Sequence, residues 1–457
     1  MSDLEGLSRR LLSKGYNLDY IKEKLKEQIT LYKDWLEDKK LEELSKAILD
    51  EVLISKKGPK EPLVKRILSY EKSGVGAGLM GVGSRGEGDF YIHRKLSEIS
   101  HSEFKGVLIT PKEFDDAGAV ESRAKAIVLA VDGIHSRLSD FPFLAGFHAT
   151  RATLRDIMVK GSKPLALFLD IHIADDGDVA KLFDFEAGVS VVSLLSQTPV
   201  IAGSTLRIGG DMVIGDRISG CVGAIGIADS KSLLARKRVK KKSVILMTEG
   251  SGGGTICTAA IYSGRFDVVP ETLNLQFIKA CKALIQAKLI GKIQAMTDVT
   301  NGGIRGDAKE ICENSSVALF LYEEKIKALI NLKVLKLLEE NGIDYLGVSL
   351  DSLMIFCDEE YEKDIKEVIR KAGVKVERVG YTEEGKEPYL IQGNSFKKLE
   401  SKFRESAYTK VKKVVGENRP HHFDEMKLKV DKAFLEATKK RDYFFNLLRT
   451  SELPHNS

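Results

Sequence analysis

Ala126-Ile-Val-Leu-Ala-Val131 is an unbroken apolar run that stops on Asp132-Gly133. A short apolar run closed by a turn pair reads as a strand buried in a sheet, with a carboxylate delivered at its end. Working outward, Gly106-Val-Leu-Ile-Thr110 before it and Leu165-Ala-Leu-Phe-Leu-Asp-Ile171 after it read the same way. Helical patterns occupy residues 149–160 and 179–196 between the strands, and Cys221–Ile227 and Val244–Met247 add two more strand signals. Helices over 271–289 and 332–341 continue the alternation, so the expected fold class is α/β (α+β).

The ends differ from this middle. Leu25, Ile29, Tyr32, Leu36, Leu41, Leu44 and Ile48 recur at three- to five-residue steps among Lys and Glu, predicting helix to about residue 70. Beyond Ser395 the pattern is again helical and Lys-rich. At about 150 residues per domain, 457 residues suggest about three folding units. The expected divisions are a helical extension over 1–72, α/β domains over 73–235 and 236–395, and a second helical extension over 396–457. Arg236–Lys242, a basic run without aromatic residues, reads as a solvated linker between the two domains rather than an RNA contact.

Composition narrows the functional classes. Hydrophobic residues make up 43% and charged residues 30%, with a net charge of +5, too small for a nucleic-acid partner to be expected. The five cysteines form no Cys-x-x-Cys pair, which argues against a disulfide framework and the usual zinc spacings. The acidic start, Met1-Ser-Asp-Leu-Glu5, is not a secretory signal, and no apolar stretch approaches the ~18 residues of a spanning helix. A cytoplasmic protein without a membrane partner is the expectation.

Four acidic sites could carry chemistry: Asp115-Asp116 after a Pro-containing turn, Asp132 at its strand end, Asp156 in a helical stretch, and Asp298 opening Asp-Val-Thr-Asn-Gly-Gly303. Hard oxygen ligands on element ends suit Mg²⁺ held against phosphates. Each also has a plainer reading: solvated turns for Asp115, Asp116 and Asp132, a solvent-facing position for Asp156, a helix cap for Asp298 or Asn301. Arg151 and Arg155, four residues apart, share a helix face and suit either a phosphate-bearing ligand or the surface. His135 is an acid, a base, a substrate contact or a structural histidine.

Residues 73–89, SGVGAGLMGVGSRGEGD, contain G-x-G-x-x-G twice, but a charged helical segment precedes them where a dinucleotide fingerprint requires a strand. A mobile loop is expected, either a linker or a lid whose N–H groups cover phosphates. No G-x-x-x-x-G-K-[ST] motif occurs.

Together these motifs resemble a known group. Asp115-Asp-Ala-Gly-Ala-Val120 resembles the D-D-A-A-V segment of the superfamily of aminoimidazole ribonucleotide synthetase, selenophosphate synthetase, thiamine-monophosphate kinase and the hydrogenase-maturation dehydratase. Ala130–Leu138 is similar to S-V-D-G-V-G-T-K-L of the purine enzyme, and Arg155–Pro164 to the N-D-[IL]-x-x-x-G-A-x-P helix. Ala295–Ile304 is similar to A-M-T-D-V-T-G-F-G-L of selenophosphate synthetases.

The resemblance, spanning about residues 73–395, implies a two-domain subunit with an antiparallel-rich N-terminal sheet that closes a barrel across a homodimer. It implies ATP and Mg²⁺ in an Asp-lined cleft, with Asp116, Asp156 and Asp298 on the metal and Asp115 and Asp132 assisting. Gly81, Gly83, Arg85 and Gly86 of the loop, with Asp132, Gly302 and Gly303, would meet the nucleotide. His135, Arg151 and Arg155 would act on the transferred group.

Departures leave the substrate open. Residues 73–89 contain no Cys, Ala202-Gly-Ser-Thr205 replaces G-G-[DE]-T, and His135 and Arg137 replace the Gly and Lys of the purine motif. The chain also ends in Glu-Leu-Pro-His-Asn-Ser457 where the dehydratase has a terminal Cys. The expected function is Mg²⁺- and ATP-dependent phosphoryl transfer to a small polar metabolite. The alternative is a nucleotide-binding regulator or assembly protein that has lost the transfer chemistry.

Overall fold

The computed structural model describes residues 1–100, 104–300 and 302–452. Asn301, one of the two candidate helix caps, and the closing residues 453–457 lie outside them. The first helical pattern folds as α1 (Leu4–Ser13), α2 (Leu18–Thr30) and α3 (Asp38–Lys57), followed by a short helix over Pro62–Leu68. Asp3 and Asn17 end the preceding chain by accepting from the N–H groups of Gly6 and Tyr20, which caps α1 and α2. Leu4, Ile21, Leu25, Ile29 and Ile48 form their own small core, to which the central body contributes Ile214. The bundle is docked, with Ser2–Asp3 paired to Val213–Ile214 and Lys33 bonded to Asp175 at 2.6 Å. Beyond it, α4 (Glu87–Ile99) follows the Gly-rich segment.

The central body holds two sheets. The first comprises β1 (Val107–Ile109), β2 (Gly118–Ser122), β3 (Lys125–Gly133), β4 (Lys163–Ile173), β5 (Val200–Arg207) and β6 (Ile218–Asp229) in the order β1-β2-β3-β6-β4-β5. All neighbours are antiparallel except the pair β4–β5. Helices α5 (Pro142–Met158) and α6 (Ala180–Ser196) cover one face. Ala126, Val128 and Ala130 point into that core, whereas Leu129 and Val131 are exposed on the other face. The opening run is therefore half buried, not fully buried, because an antiparallel sheet alternates its side chains and, among the described residues, none covers Leu129 and Val131 on the second face.

Two glycines set the spacing of the helix pair. A Cβ on Gly146 would lie 2.1 Å from the Phe185 carbonyl oxygen, and one on Gly188 would lie 2.1 Å from that of Phe143. Gly188→Ala must push two backbones apart, so thermal unfolding should show a loss of about 1–3 kcal/mol.

The second sheet comprises β7 (Val244–Thr248), β8 (Ile293–Asp298), β9 (Val317–Tyr322), β10 (Leu353–Cys357), β11 (Val376–Glu384), β12 (Pro388–Gln392) and β13 (Ser395–Lys398). Its order is β8-β10-β7-β11-β9-β12-β13, antiparallel except β9–β12. Around it lie α7 (Gly254–Ser263), α8 (Gln276–Gln286), α9 (Gly303–Ser315), α10 (Leu332–Glu340) and α11 (Glu362–Lys371). One apolar core runs through both halves, joining Leu154 and Ile157 of α5 to Phe277 and Leu284 of α8. That shared core fixes the cleft between the sheets. The last helix, α12 (Phe423–Glu452), packs Phe423 and Met426 on Met80 and Phe403.

Candidate active site

A cleft of about 1080 Å³ lies between the two halves. Acidic sites from separate elements line it: Asp115 and Asp116 from the turn before β2, Asp132 from the end of β3 and Asp156 from the last turn of α5, while Asp298, at the end of β8, is buried against the lining Arg155. Their mutual influence is marked. Burial, then the charges of Asp132, Asp298 and Asp116, hold the Asp156 carboxyl well above the ordinary range. Burial likewise raises Asp132 and Asp298, against the pull of Arg155. Asp116 moves the other way: Arg236, Lys160 and Arg85 outweigh its burial.

Ion pairs thread the cluster. Arg155 lies 3.0 Å from Asp298 and also pairs with Asp351, which Arg151 meets at 2.8 Å. Lys160 bonds Asp115 and, at 3.1 Å, Asp116. Arg236 meets Asp116 at 2.6 Å, Asp307 at 3.3 Å and Glu310. Arg85 meets Glu310 at 2.9 Å. The carboxyls of Asp115, Asp116, Asp132, Asp156, Asp298, Asp307, Glu310 and Asp351 thus number eight against the five cations Arg85, Arg151, Arg155, Lys160 and Arg236. Among the described residues, neither oxygen of buried Asp298 has an aligned hydrogen-bond donor; the 3.0 Å approach of Arg155 is off line.

A buried surplus of hard anionic oxygens is unfavourable on its own and suits a divalent cation. Among the described residues no three of these donors stand at metal-gripping spacing. Arg155, Arg236 and Lys160 are interleaved with them.

Both arginines of α5 are buried, so the surface reading is excluded. Arg151 donates to the carbonyls of Thr272 (2.8 Å), Asn274 (2.7 Å) and Gly252 (3.0 Å), which fastens α5 to the second half. Arg236 also departs from expectation. It is not part of a solvated linker: its side chain is buried and donates to the Phe114 carbonyl at 2.6 Å.

The Gly-rich segment is folded as a strap against its neighbours. Residues Ala77–Met80 make one helical turn, and Gly81 and Gly83 adopt φ of 77° and 82°. Asp89 then accepts from the N–H groups of Gly83 and Arg85, both at 2.8 Å. A Cβ on Gly86 would strike the Phe403 carbonyl at 2.2 Å, so the C-terminal extension lies directly on the strap. Arg85 crosses to Thr300 at 2.8 Å, and a Cβ on Gly302 would meet the Arg85 carbonyl at 2.9 Å. Gly303 is equally tight, 2.4 Å from the Leu346 carbonyl.

His135 sits in a chain of hydrogen bonds. Thr258 Oγ1 donates to the Gly254 carbonyl at 2.7 Å and lies 3.1 Å from His135 Nδ1, which makes Nδ1 the protonated nitrogen. Nε2 therefore accepts from the Tyr408 hydroxyl at 3.0 Å. Burial, with Lys412 and Arg137 nearby, pushes His135 down to about 4, and burial lowers His148 well below its usual value. The unfolded chain takes up those protons first, so stability present above pH 6.5 is lost as pH falls toward 4. His135→Gln should remove up to about 3 kcal/mol of that slope in urea titrations, leaving the His148 share.

Sequence reasoning missed Asp307 and Glu310, one turn apart on α9, as well as Asp351, Tyr408 and Lys412. It also passed over Glu249-Gly-Ser-Gly-Gly-Gly-Thr255, whose glycines open α7 at the cleft. That run was a visible signal; the isolated acids were not.

A two-sheet α/β body with an acidic interdomain cleft defines the class, and comparison with known proteins gives the family. Residues 114–228 match the model of the AIR synthase related protein N-terminal domain, and residues 240–392 that of its C-terminal domain. The chain belongs to the AIR synthase-related family. It is 53% identical to an uncharacterized protein of Methanocaldococcus jannaschii, over 98% of this chain and 99% of that one. It is 27% identical to a selenide, water dikinase of Sulfurimonas denitrificans, over 52% of this chain and 67% of the relative. Among solved structures, a chain of the HypE–HypF complex has the same fold, with TM-score 0.55 and 20% identity over 67% of this chain and 98% of that one. The hydrogenase maturation protein HypE in complex with ATP gives 0.52 and 17%, over 60% and 84%. These two likenesses concern the fold.

Proposed function

We propose that this protein is a Mg²⁺- and ATP-dependent enzyme that transfers a phosphoryl group to a small polar metabolite. One observation carries the reading: in the buried ion-pair network at the cleft, eight carboxyls from separate segments stand against five cations, and among the described residues neither oxygen of Asp298 has an aligned donor. Asp116, Asp132, Asp156 and Asp298 would hold Mg²⁺, which when bound supplies charge neutralisation for the triphosphate. Asp115 positions this set, since Lys160 and the Arg236 N–H, the latter at 3.1 Å, engage its oxygens. Gly81, Gly83, Arg85 and Gly86 of the strap, with Gly302 and Gly303, bring backbone close to the nucleotide side. Arg155 offsets charge on the transferred group, Arg151 keeps α5 in place, and His135, neutral at pH 7, contacts the acceptor.

The test is ATP turnover with Mg²⁺ across a metabolite panel. Stimulation of about tenfold or more by one compound supports transfer. Failure of the full chain to bind Mg·ATP in calorimetry overturns the proposal.

The enzyme works as a cytoplasmic homodimer. Among the described residues no helix is long and apolar enough to cross a membrane. The uncovered face of the first sheet carries Leu129, Val131, Phe168 and Ile225 in adjacent register, with Val131 58% exposed. A second copy closing that face buries it. Val131→Glu should convert a dimer to monomers in sedimentation, and an unchanged mass would argue against this surface.

A further inference from the structure

One end of the cleft is built by the C-terminal extension rather than by either sheet. Glu405, Tyr408, Thr409 and Lys412 line it, opposite Ile134–Arg137 and the glycine start of α7. The segment is anchored there. Glu405 N–H donates to the Ser84 carbonyl at 3.1 Å, Ser406 N–H to the Gly347 carbonyl at 3.0 Å, and Tyr408 reaches His135.

The charges on this wall are unequal. Lys412 and Arg137 lie close enough to depress His135. The facing acid is Glu405, which holds Lys412 at 2.6 Å through Oε1. The N-cap residue of α7 is Gly253, which brings no side chain, and the helix N-terminus adds positive potential on the same side. Glu405 is only 7% exposed, and its Oε2 has no hydrogen-bond partner among the described residues. A buried carboxyl oxygen without a donor is costly, so a donor on a ligand fits it.

We propose that this segment is the acceptor-binding wall, with Lys412 holding an anionic group of the metabolite and Glu405 receiving an N–H or O–H from the same molecule. Tyr408 is a positioning residue that fixes the segment through His135. The acceptor class is a small anion that also carries an amine, amide or hydroxyl donor. The inference deepens the phosphoryl-transfer reading and rests on it for the word acceptor.

The test uses inorganic phosphate as the probe, titrated calorimetrically into the full chain with and without Mg²⁺ and a non-hydrolysable ATP analogue. Wild type is expected to bind phosphate also when the analogue is bound. Lys412→Met should weaken phosphate binding about tenfold and Lys412→Arg by less than about threefold, while nucleotide affinity stays within about twofold. Glu405→Gln should bind phosphate at least as tightly, because it frees Lys412. Wild type that takes up no phosphate, displacement of phosphate by the analogue, or equal loss in all three variants overturns the wall. If the analogue itself fails to bind, the phosphoryl-transfer reading fails, and the phosphate series still judges this site.

Discussion

Asp156→Asn is expected to stabilise the metal-free protein and to weaken its binding of Mg·ATP, two effects of opposite sign from one substitution. Burial and the charges of Asp132, Asp298 and Asp116 raise the Asp156 carboxyl well above its ordinary range. At neutral pH its ionised form therefore costs free energy in the folded state, and asparagine removes that cost while keeping the shape. A gain of about 1–2 kcal/mol in denaturant unfolding without metal follows. The pH dependence has a definite sign. A carboxyl raised in the folded state binds more protons there, so wild-type stability falls as pH rises above the ordinary aspartate range. The variant should show a flatter profile. The same neutralisation takes an anionic oxygen from the cation, so Mg·ATP affinity should fall about 100-fold in calorimetry. Asp298→Asn makes the contrast in size: burial raises Asp298 as well, but Arg155 opposes that shift, so the metal-free protein should gain less than it does from Asp156→Asn. If Asp156→Asn binds Mg·ATP as wild type does, that carboxyl has no part in the site.

How much of this arrangement is legible in the chain depends on the range of the forces involved. Strand β3 announces itself because a run of apolar residues ending in Asp-Gly is a local pattern. Its half exposure is not local, since it depends on what the rest of the chain leaves uncovered. Asp132, Asp156 and Asp298 stand out because each ends or punctuates an element. Asp307 and Glu310 do not: on α9 they look like ordinary surface acids, and only the return of Arg236 and Arg85 from far away in sequence buries them. The Gly-rich segment illustrates the same limit. Its glycines signal freedom in isolation, yet Gly86 and Gly88 are places where Phe403 and Met80 approach too closely for any Cβ. The contact of Tyr408 with His135, 273 residues apart, left no trace in either neighbourhood.

Arg236→Met is expected to be the most destabilising substitution in the basic run. Arg236 is buried at the junction of the two sheets, and its guanidinium serves Asp116, Asp307 and Glu310, the Thr297 hydroxyl at 2.8 Å and the Phe114 carbonyl. Methionine fills much of the volume but supplies no donor, leaving three buried carboxyls with fewer partners. Removing one member of such a network exposes the desolvation cost of the rest, about 3–5 kcal/mol. Lysine should recover little, because one ammonium cannot reproduce the planar fork that reaches several acids at once. The neighbours provide the control: Lys237 and Lys241 are half or more exposed and meet single glutamates at 3.6 and 3.4 Å, so their alanine variants should change stability by less than about 0.5 kcal/mol. Added Mg²⁺ offers a second readout. With Arg236 gone, the acidic cluster should become more dependent on a divalent cation, and the melting temperature of Arg236→Met should rise with Mg²⁺ more than that of wild type does. Equal stability of Arg236→Met and the lysine variants would mean that the guanidinium does not join the two halves. The surplus of buried carboxyls would then have to be relieved by some other route.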